Sequence, residues 1–420
     1  MSSHDKPALQ SLLSPPSVDE FLSDYWPDKA LYFAVDGDPA RLPEFLHAKE
    51  LSSFDSLAHI NQRPVAFGNG PKSARMVASD AKNASSLYQM GLTVYFDNIT
   101  RIIPGAKKFT RQLARELGIN ETAARVSAWA SPVENGAAPH YDPTDVFSIQ
   151  LRGTKLFELA RVDEVSAPYG KQYTPGASRL TEETLAQMVN GFPDWHDVEF
   201  EKVEMKPGSV LFFPRGTWHR TYASADSFAV SIMIEPPTAA ECILDQLRLL
   251  MLQDPEWRRP LYGAWGNGQE REAAFEQAAK LVKKIPRIAS AISAKDVVLA
   301  TISLEKRLAH IDSSSRFQRM PNAGVILERQ DGSESNTTQR MRITLRDEHN
   351  IEHTLMNIEI PAQHVDVVNW LATRDTPFRT RDLQAQFPEI ASSEIKQLLG
   401  NCARCELLTM LWFPSIDGSN

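Results

Sequence analysis

The stretch GAAPHYDPTDVFSIQLRGTKLFEL, residues 136–159, sets a His-x-Asp triplet in front of two apolar segments that are joined by the turn RGT. Segments 146–151 and 155–159 are rich in branched and aromatic residues and predict two strands. Side chains two positions apart on a strand project from the same face, so we expect His140 and Asp142 to point the same way. The triplet is therefore either half of a metal site or an ordinary polar strand end.

A third ligand is offered by the stretch MKPGSVLFFPRGTWHRTY, residues 205–222, where His219 follows a strand bounded by Pro and Gly. Two histidines and one carboxylate make the facial triad of non-haem Fe(II) oxygenases, which leaves metal positions open for dioxygen and a chelating cosubstrate. A closed structural zinc site needs four ligands, usually thiolates, and no cysteine lies nearby in the sequence. Asp145 is an alternative carboxylate, but the same-face spacing favours Asp142.

Short strand-like runs recur through the first half of the chain. Gly and Pro turns separate them and few helices intervene, which indicates a sandwich or barrel rather than a doubly wound parallel sheet. The predicted strands cover residues 92–97, 124–129, 146–151, 155–159, 210–214 and 228–235. A basic amphipathic helix over residues 107–118 ends on a glycine typical of a helix C-cap.

The composition changes near Pro237. Segments 239–253, 270–285 and 291–308 have helical spacing, and two interpretations stay open: a helical layer packed on the sandwich, or a dimerisation surface. The last hundred or so residues contain strand-like runs, then short helices and a terminal strand, an order typical of a winged-helix arrangement. Their charges are close to balanced, which favours a structural or protein-contact role over DNA binding.

The overall composition narrows the function classes. A chain of 420 residues, 42% of them hydrophobic, is long enough for two or three packed domains, and a net charge of −8 gives no general attraction to nucleic acid. We expect a cytoplasmic protein, because we find neither a signal peptide nor a long apolar run. The cysteines Cys242, Cys402 and Cys405 argue against a disulfide framework. Cys402 and Cys405 form a CxxC in a predicted helix without partner ligands, which favours a packing role.

Taken together, these motifs resemble the JmjC-type, cupin-4 class of Fe(II) and 2-oxoglutarate oxygenases, which includes the ribosomal-protein hydroxylases. The resemblance extends over essentially the whole chain. It is carried by FLSDYWPDKALYF (21–33), SPVENGAAPHYDPTDVFSIQ (131–150), Lys155, PRGTWH (214–219) and Ser231.

The resemblance implies a role for each matched residue. His140, Asp142 and His219 would hold Fe(II), with 2-oxoglutarate and O2 as cosubstrates. Lys155 would pair with the distal carboxylate of 2-oxoglutarate, a charge-assisted contact; the alternative is a solvated lysine on a hairpin. Ser231 would assist the same carboxylate, and a plain core serine is the alternative.

The resemblance also implies an α+β fold in three parts. A double-stranded β-helix (cupin/JmjC) catalytic domain would cover residues 1–237, a helical dimerisation segment residues 238–308 and a winged-helix-like domain residues 309–420. We accordingly expect a homodimer, and on the charge argument above we expect no direct nucleic-acid binding.

The implied activity is hydroxylation of a protein side chain, with a ribosomal protein first among the candidates. Hydroxylation of a small molecule or biosynthetic peptide is the alternative, and a non-enzymatic cupin regulator comes third. Lys155 stands where some bacterial arginine hydroxylases carry Arg, and Thr144 where those carry an aromatic residue, so no particular substrate is transferred.

Substrate choice should depend on the strand before the His-x-Asp triplet, the loop 133–139 and the insertion 159–203. The insertion contains Tyr169, Tyr173, Trp195 and His196 and would be a lid, a polypeptide groove or a packed surface loop. Trp129 and Arg220 are further pocket candidates, with a core role as the simpler alternative for Trp129.

Overall fold

The chain folds into two compact units, Met1–Thr238 and Ala239–Asn420. The structure is a computed structural model that describes residues 7–13, 16–33, 41–70, 76–161, 165–176, 178–188, 190–192, 194, 196, 198–302, 304–321, 323–328, 338–346 and 352–411. Trp195 of the insertion lies outside these residues. The three-part division at residues 237 and 308 stays a prediction.

Twelve strands are described in the first unit, all in antiparallel pairs. They are β1 (Leu31–Phe33), β2 (Val65–Gly68), β3 (Val77–Ser79), β4 (Thr93–Phe96), β5 (Ala124–Ser131), β6 (Gly136–His140), β7 (Asp145–Arg152), β8 (Lys155–Ala160), β9 (Glu201–Met205), β10 (Val210–Phe213), β11 (Trp218–Ala223) and β12 (Ser227–Ile234). The large sheet has the order β1-β10-β7-β12-β5-β4-β2-β3, and the small sheet the order β6-β11-β8-β9. All six predicted strands are present.

Short helices accompany the sheets. They are α1 (Ala8–Leu12), α2 (Val18–Glu20), α3 (Phe54–Ile60), α4 (Ala84–Gln89), α5 (Ala106–Glu116) and α6 (Glu182–Gln187), with a π-turn at Phe21–Tyr25 and 3-10 turns at Glu44–His47, Lys49–Leu51, Ala81–Asn83 and Ile99–Arg101. Helix α5 is the predicted basic helix, and Gly118 after it has the left-handed φ of 71° that the C-cap pattern requires.

Two hydrophobic clusters pack against the two sheets of the first unit. The larger core joins one face of the large sheet to the helices and is centred on aromatic rings: Phe147 and Phe212 are cross-strand partners 4.9 Å apart, and Phe21 packs edge-on against Phe212 at 5.1 Å. A smaller cluster that includes Phe157 and Phe213 fills part of the space between the two sheets. Side chains of strands from both sheets also line one cavity. This arrangement confirms the predicted cupin-type sandwich within a mixed helix and strand fold.

The second unit begins with helices and continues with two small sheets. The helices are α7 (Ala239–Met251), α8 (Pro255–Arg258), α9 (Gln269–Val282), α10 (Ile285–Ser290), α11 (Ala294–Ala300), α12 (Leu304–Leu308), α13 (Val365–Thr373), α14 (Thr380–Gln386) and α15 (Ser392–Arg404). The strands are β13 (Arg316–Arg319), β14 (Ala323–Glu328), β15 (Thr338–Arg346), β16 (Glu352–Pro361), β17 (Phe378–Arg379) and β18 (Leu408–Leu411), in sheets of order β17-β13-β18 and β14-β15-β16. The dimerisation segment and the winged-helix assignment stay predictions.

Cys402 and Cys405 lie in the hydrophobic core of the second unit and form no disulfide. Burial raises the pKa of the Cys402 thiol to about 12, so the reactive thiolate is scarce at neutral pH. These observations agree with a packing role. Within the described ranges, no helix is long and apolar enough to span a membrane. The cytoplasmic location stays a prediction.

Candidate metal centre

His140 and His219 face each other across two neighbouring strands. They are register partners on β6 and β11, and their ring centroids lie 4.0 Å apart. Asp142 follows two positions after His140, and its Oδ2 lies 3.8 Å from Nε2 of His140 and 3.6 Å from Nε2 of His219. One candidate ligand atom from each residue falls within 4.8 Å of the others. The structure therefore brings together the three residues singled out from the sequence.

Backbone carbonyls fix which ring nitrogen of each histidine is available. Nδ1 of His140 lies 2.7 Å from the carbonyl oxygen of Ala138, and Nδ1 of His219 lies 3.0 Å from that of Thr217. A carbonyl can only accept, so each Nδ1 donates and each Nε2 keeps its lone pair on the side of Asp142. Outer contacts of this kind orient metal-ligating histidines. The arrangement fits a divalent cation.

The pKa shifts of His219 and Asp142 also favour a bound cation. Burial lowers the pKa of His219 well below 6.5, so its imidazole is neutral at physiological pH, the state that binds metal. Burial raises the pKa of the Asp142 carboxyl, because a buried carboxylate without a cation is costly. A bound cation would remove that cost. The Asp142 side chain keeps 19% exposure, so the site is open on one side.

The competing carboxylate, Asp145, is already engaged. Its Oδ2 accepts a hydrogen bond of 2.9 Å from Nη2 of Arg215, and its Oδ1 accepts one of 3.0 Å from the Arg215 backbone N–H. It is therefore a structural ion-pair partner, which agrees with the choice of Asp142.

Lys155 lies inside the cavity that contains the three candidate ligands. It begins β8 and is 4% exposed, and its side chain makes no hydrogen bond or ion pair with another described residue. Burial lowers the pKa of its ammonium group to about 8. The alternative of a solvated lysine on a hairpin is therefore excluded. A buried amine without a partner suits an anionic ligand that would enter the cavity.

Ser231 lies on the wall contributed by the large sheet. On β12 it stands in register between Ser127 of β5 and Ser148 of β7. Side chains around the cavity combine hydroxyl groups with apolar surface. The lining comprises Trp129, Ser131, Gly136, Ala137, His140, Asp142, Val146, Ser148, Lys155, Phe157, Phe213, His219, Thr221, Ala229, Ser231 and Met233.

The two further pocket candidates, Trp129 and Arg220, lie in different places. Trp129 lines the cavity, whereas Arg220 does not. Arg220 alternates to the other face of β11, where it pairs with Glu158 and lies 4.7 Å from the ring centroid of Phe200. The expectation for Arg220 is wrong because strand alternation directs it away from His219.

Tyr95, which no sequence pattern singled out, packs against Trp129. The two are register partners on β4 and β5, with ring centroids 4.2 Å apart. The Tyr95 hydroxyl lies 3.1 Å from both Ser127 Oγ and Asp97 Oδ1. The alternation of the predicted strand 92–97 could have placed Tyr95 on one face, but not opposite Trp129.

The insertion packs as a surface loop where the structure describes it. Tyr173 lies against Tyr141 and Trp218, with ring centroids 5.7 and 6.2 Å away. Tyr141 and Trp218 adjoin the histidine ligands in sequence and point to the opposite face. No described residue between 161 and 200 lines the cavity. This favours the packed-loop alternative over a lid.

The match to a known protein family falls on the region that holds this cavity. Residues 104–242 match the JmjC domain family. The chain is 26% identical over 267 residues to the uncharacterized protein YxbC of Bacillus subtilis, which covers 61% of this chain and 80% of that protein. It is 24% identical over 257 residues to ribosomal oxygenase 2 of Mus musculus, which covers 57% of this chain. The chain spans about half the length of that second relative, 50%.

A solved structure of YcfD, a ribosomal oxygenase from Escherichia coli in complex with cobalt and 2-oxoglutarate, aligns with 94% of this chain and 98% of its own. The identity is 13% and the TM-score 0.39.

Proposed function

Residues 104–242 of this chain are a JmjC domain, and from this premise we propose that the protein hydroxylates a side chain of a ribosomal protein as an Fe(II)- and 2-oxoglutarate-dependent dioxygenase. One observation carries the proposal: three side chains able to hold a metal share a cavity with a buried lysine that has no side-chain partner among the described residues. The JmjC domain and this ligand set bear out the expected cofactors, Fe(II) with 2-oxoglutarate and O2.

In the proposed site, Nε2 of His140, Nε2 of His219 and the Asp142 carboxylate hold the metal. Three protein ligands leave the other positions free for small ligands. When bound, Fe(II) supplies the oxidative decarboxylation of 2-oxoglutarate to succinate and carbon dioxide, coupled to hydroxylation of the substrate.

Lys155 is proposed to bind the distal carboxylate of 2-oxoglutarate. An ammonium-carboxylate pair is stronger in a water-poor cavity than at the surface, and this lysine has no competing partner among the described residues. The Ser231 hydroxyl would donate a second hydrogen bond. Phe157 and Phe213 supply apolar wall that keeps water from the cosubstrate. The residues of the chain thus bind the cosubstrate, orient it and keep water away from it.

A protein substrate is supported by the relatives that are named ribosomal oxygenases. Hydroxylation of a small molecule or a biosynthetic peptide uses the same metal centre and is the second candidate. A non-enzymatic cupin regulator would have no need for an intact ligand set and a buried Lys155.

The helical segment 238–308 is proposed to form a homodimer interface. Large apolar side chains are exposed there: Leu244 60%, Tyr262 76%, Trp265 100% and Phe275 64%. Isolated apolar residues are ordinary on a surface, but aromatic side chains gathered in one segment suit a protein contact. Light scattering of the wild type and of a Tyr262→Ser/Trp265→Ser variant tests this, and a wild-type monomer would refute it. The cytoplasmic location and a winged-helix-like domain at 309–420 complete the proposal.

The activity is tested by succinate release and oxygen uptake with Fe(II), 2-oxoglutarate and a pool of ribosomal-protein peptides. Asp142→Ala should abolish turnover, whereas Asp28→Ala, at an exposed carboxylate, should not. Turnover that rises with peptide, and a peptide heavier by one oxygen atom, would support a protein hydroxylase. Turnover that ignores every peptide would move the search to small molecules, and no turnover at all would overturn the oxygenase.

A further inference from the structure

A short two-stranded bridge clamps the residue between two of the proposed metal ligands. The Tyr141 N–H donates to the Tyr173 carbonyl at 3.2 Å, and the Tyr173 N–H donates to the Tyr141 carbonyl at 3.1 Å. The β6 ladder ends at His140, so this bridge continues the restraint one residue further, between His140 and Asp142. The clamp comes from the insertion, outside the sheets.

An aromatic cluster connects the same clamp to the third ligand. Trp218, directly before His219, is fully buried, and its ring stands edge-on to Tyr141 at 5.4 Å and to Tyr173 at 6.2 Å. The buried indole Nε1 of Trp218 has no hydrogen-bond partner in the described structure. Packing against the two tyrosines, rather than hydrogen bonding, therefore fixes this ring beside His219.

A third contact reaches Asp142 through its backbone. The Gly216 N–H donates to the Asp142 carbonyl at 2.9 Å. Pro168 of the insertion packs on Gly216 so closely that a Cβ there would lie 2.8 Å from the Pro168 Cδ. Val165 joins the cluster of Tyr141 and Trp218. Each proposed ligand is thus bonded to, or held by, a residue that the insertion contacts.

We propose that Val165, Pro168 and Tyr173, termed the brace, are positioning residues that set the geometry and affinity of the metal centre. This inference rests on the metal site of the proposed function and concerns the residues that pack on the outer side of that site. Metal sites tolerate displacements of only about 0.5 Å in their ligands, and Asp142 lies beyond the ladder that fixes His140. Docking of the brace supplies the missing restraint. By linkage, a bound metal must in turn stabilise the docked brace.

Three variants test the role of the clamp through metal binding alone, which requires no substrate. Tyr173→Ala removes the ring, Tyr173→Phe keeps it, and Leu185→Ala alters an exposed side chain of α6 in the same insertion. We expect Tyr173→Ala to weaken Co(II) binding by about 10-fold or more, the usual cost of losing an outer-shell partner, and to alter the Co(II) absorption spectrum. Tyr173→Phe and Leu185→Ala should bind as the wild type does.

Hydrogen exchange of the wild type provides a second measurement that needs no variant to fold. Added Co(II) should slow exchange of the Tyr141 and Tyr173 amides. The proposal is overturned if exchange there ignores Co(II), or if folded Tyr173→Ala keeps wild-type affinity and spectrum. A wild type that binds Co(II) but never turns over 2-oxoglutarate would refute the oxygenase, while the brace would still be judged on its own data.

Discussion

His140 and Asp142 flank a residue that points the other way, and Oδ2 of Asp142 lies within 4 Å of the Nε2 atoms of both His140 and His219. The alternation of a strand produces this pairing, and the register of β6 with β11 supplies the third member. Ligand geometry therefore depends on the spacing of two strands.

The Asp142→Ala variant should weaken metal binding by at least about 100-fold, because a side chain that binds the metal directly contributes more than one that only orients a ligand. Its neighbour provides the contrast. Asp145→Ala leaves the half-buried Arg215 without its carboxylate and should lower the free energy of unfolding by about 2 kcal/mol. Co(II) titration and urea unfolding of both variants measure the two effects. Retained affinity in Asp142→Ala would refute its assignment as a ligand.

Cosubstrate binding should weaken at alkaline pH. The pKa of Lys155 is about 8 in the free protein, so its ammonium is charged below pH 8 and neutral above it. The KM for 2-oxoglutarate should stay flat up to about pH 7 and rise beyond pH 8. Steady-state kinetics from pH 6.5 to 9.5 test this, and Lys155→Arg should shift the rise upward. A KM independent of pH in the wild type would count against the contact.

The same buried lysine should lower the free energy of unfolding of the protein without bound 2-oxoglutarate. Its folded pKa lies below the unfolded value of 10.5, so the unfolded chain binds more protons between pH 8 and 10.5 and stability rises with pH there. Below pH 8 the full cost is present. Lys155→Met should therefore stabilise the metal-free protein by about 3 kcal/mol at pH 7 while abolishing 2-oxoglutarate binding. Denaturation curves test the gain in stability, and binding curves test the loss of 2-oxoglutarate binding. A Lys155→Met variant less stable than the wild type would contradict the first prediction.

Gly136 should be irreplaceable. A Cβ at this position would lie 1.9 Å from the carbonyl oxygen of Thr221, so Gly136→Ala must push β6 away from β11 and separate the histidines. We expect loss of Co(II) affinity together with lower stability. Gly118→Ala, a left-handed helix cap, should cost about 1–2 kcal/mol of stability and leave the affinity intact. Equal metal affinities for the two variants would reject this account.

Metal should stabilise the fold through the triad alone. A divalent ion at 100 times its Kd should raise the free energy of unfolding by about 2.7 kcal/mol, and a chelator should reverse the gain. His219→Ala should show no gain. Thermal melts with and without Co(II) provide the measurement, and an unchanged gain in His219→Ala would place the ion elsewhere.

The ligands were predictable because their spacing is local or embedded in a strand pattern. His140 and Asp142 are two positions apart, and His219 follows a strand with clear boundaries. The position of Lys155 within the cavity was not derivable from the residues, since the turn after β7 decides which face of β8 it occupies. Tyr95 and the brace depend on contacts between distant segments, which no local pattern encodes.

Strand register also fixes the distance along the sheet between His219 and Lys155. Along β11, His219 pairs with Leu159 and Ala223 pairs with Lys155, so the ligand and the lysine lie four positions apart, about 13 Å of strand. In the proposed site, the diacid fills the part of this span that the metal and the lysine side chain do not occupy. Because this span is set by the backbone, the proposed contacts predict that a diacid one carbon shorter or longer than 2-oxoglutarate binds more weakly.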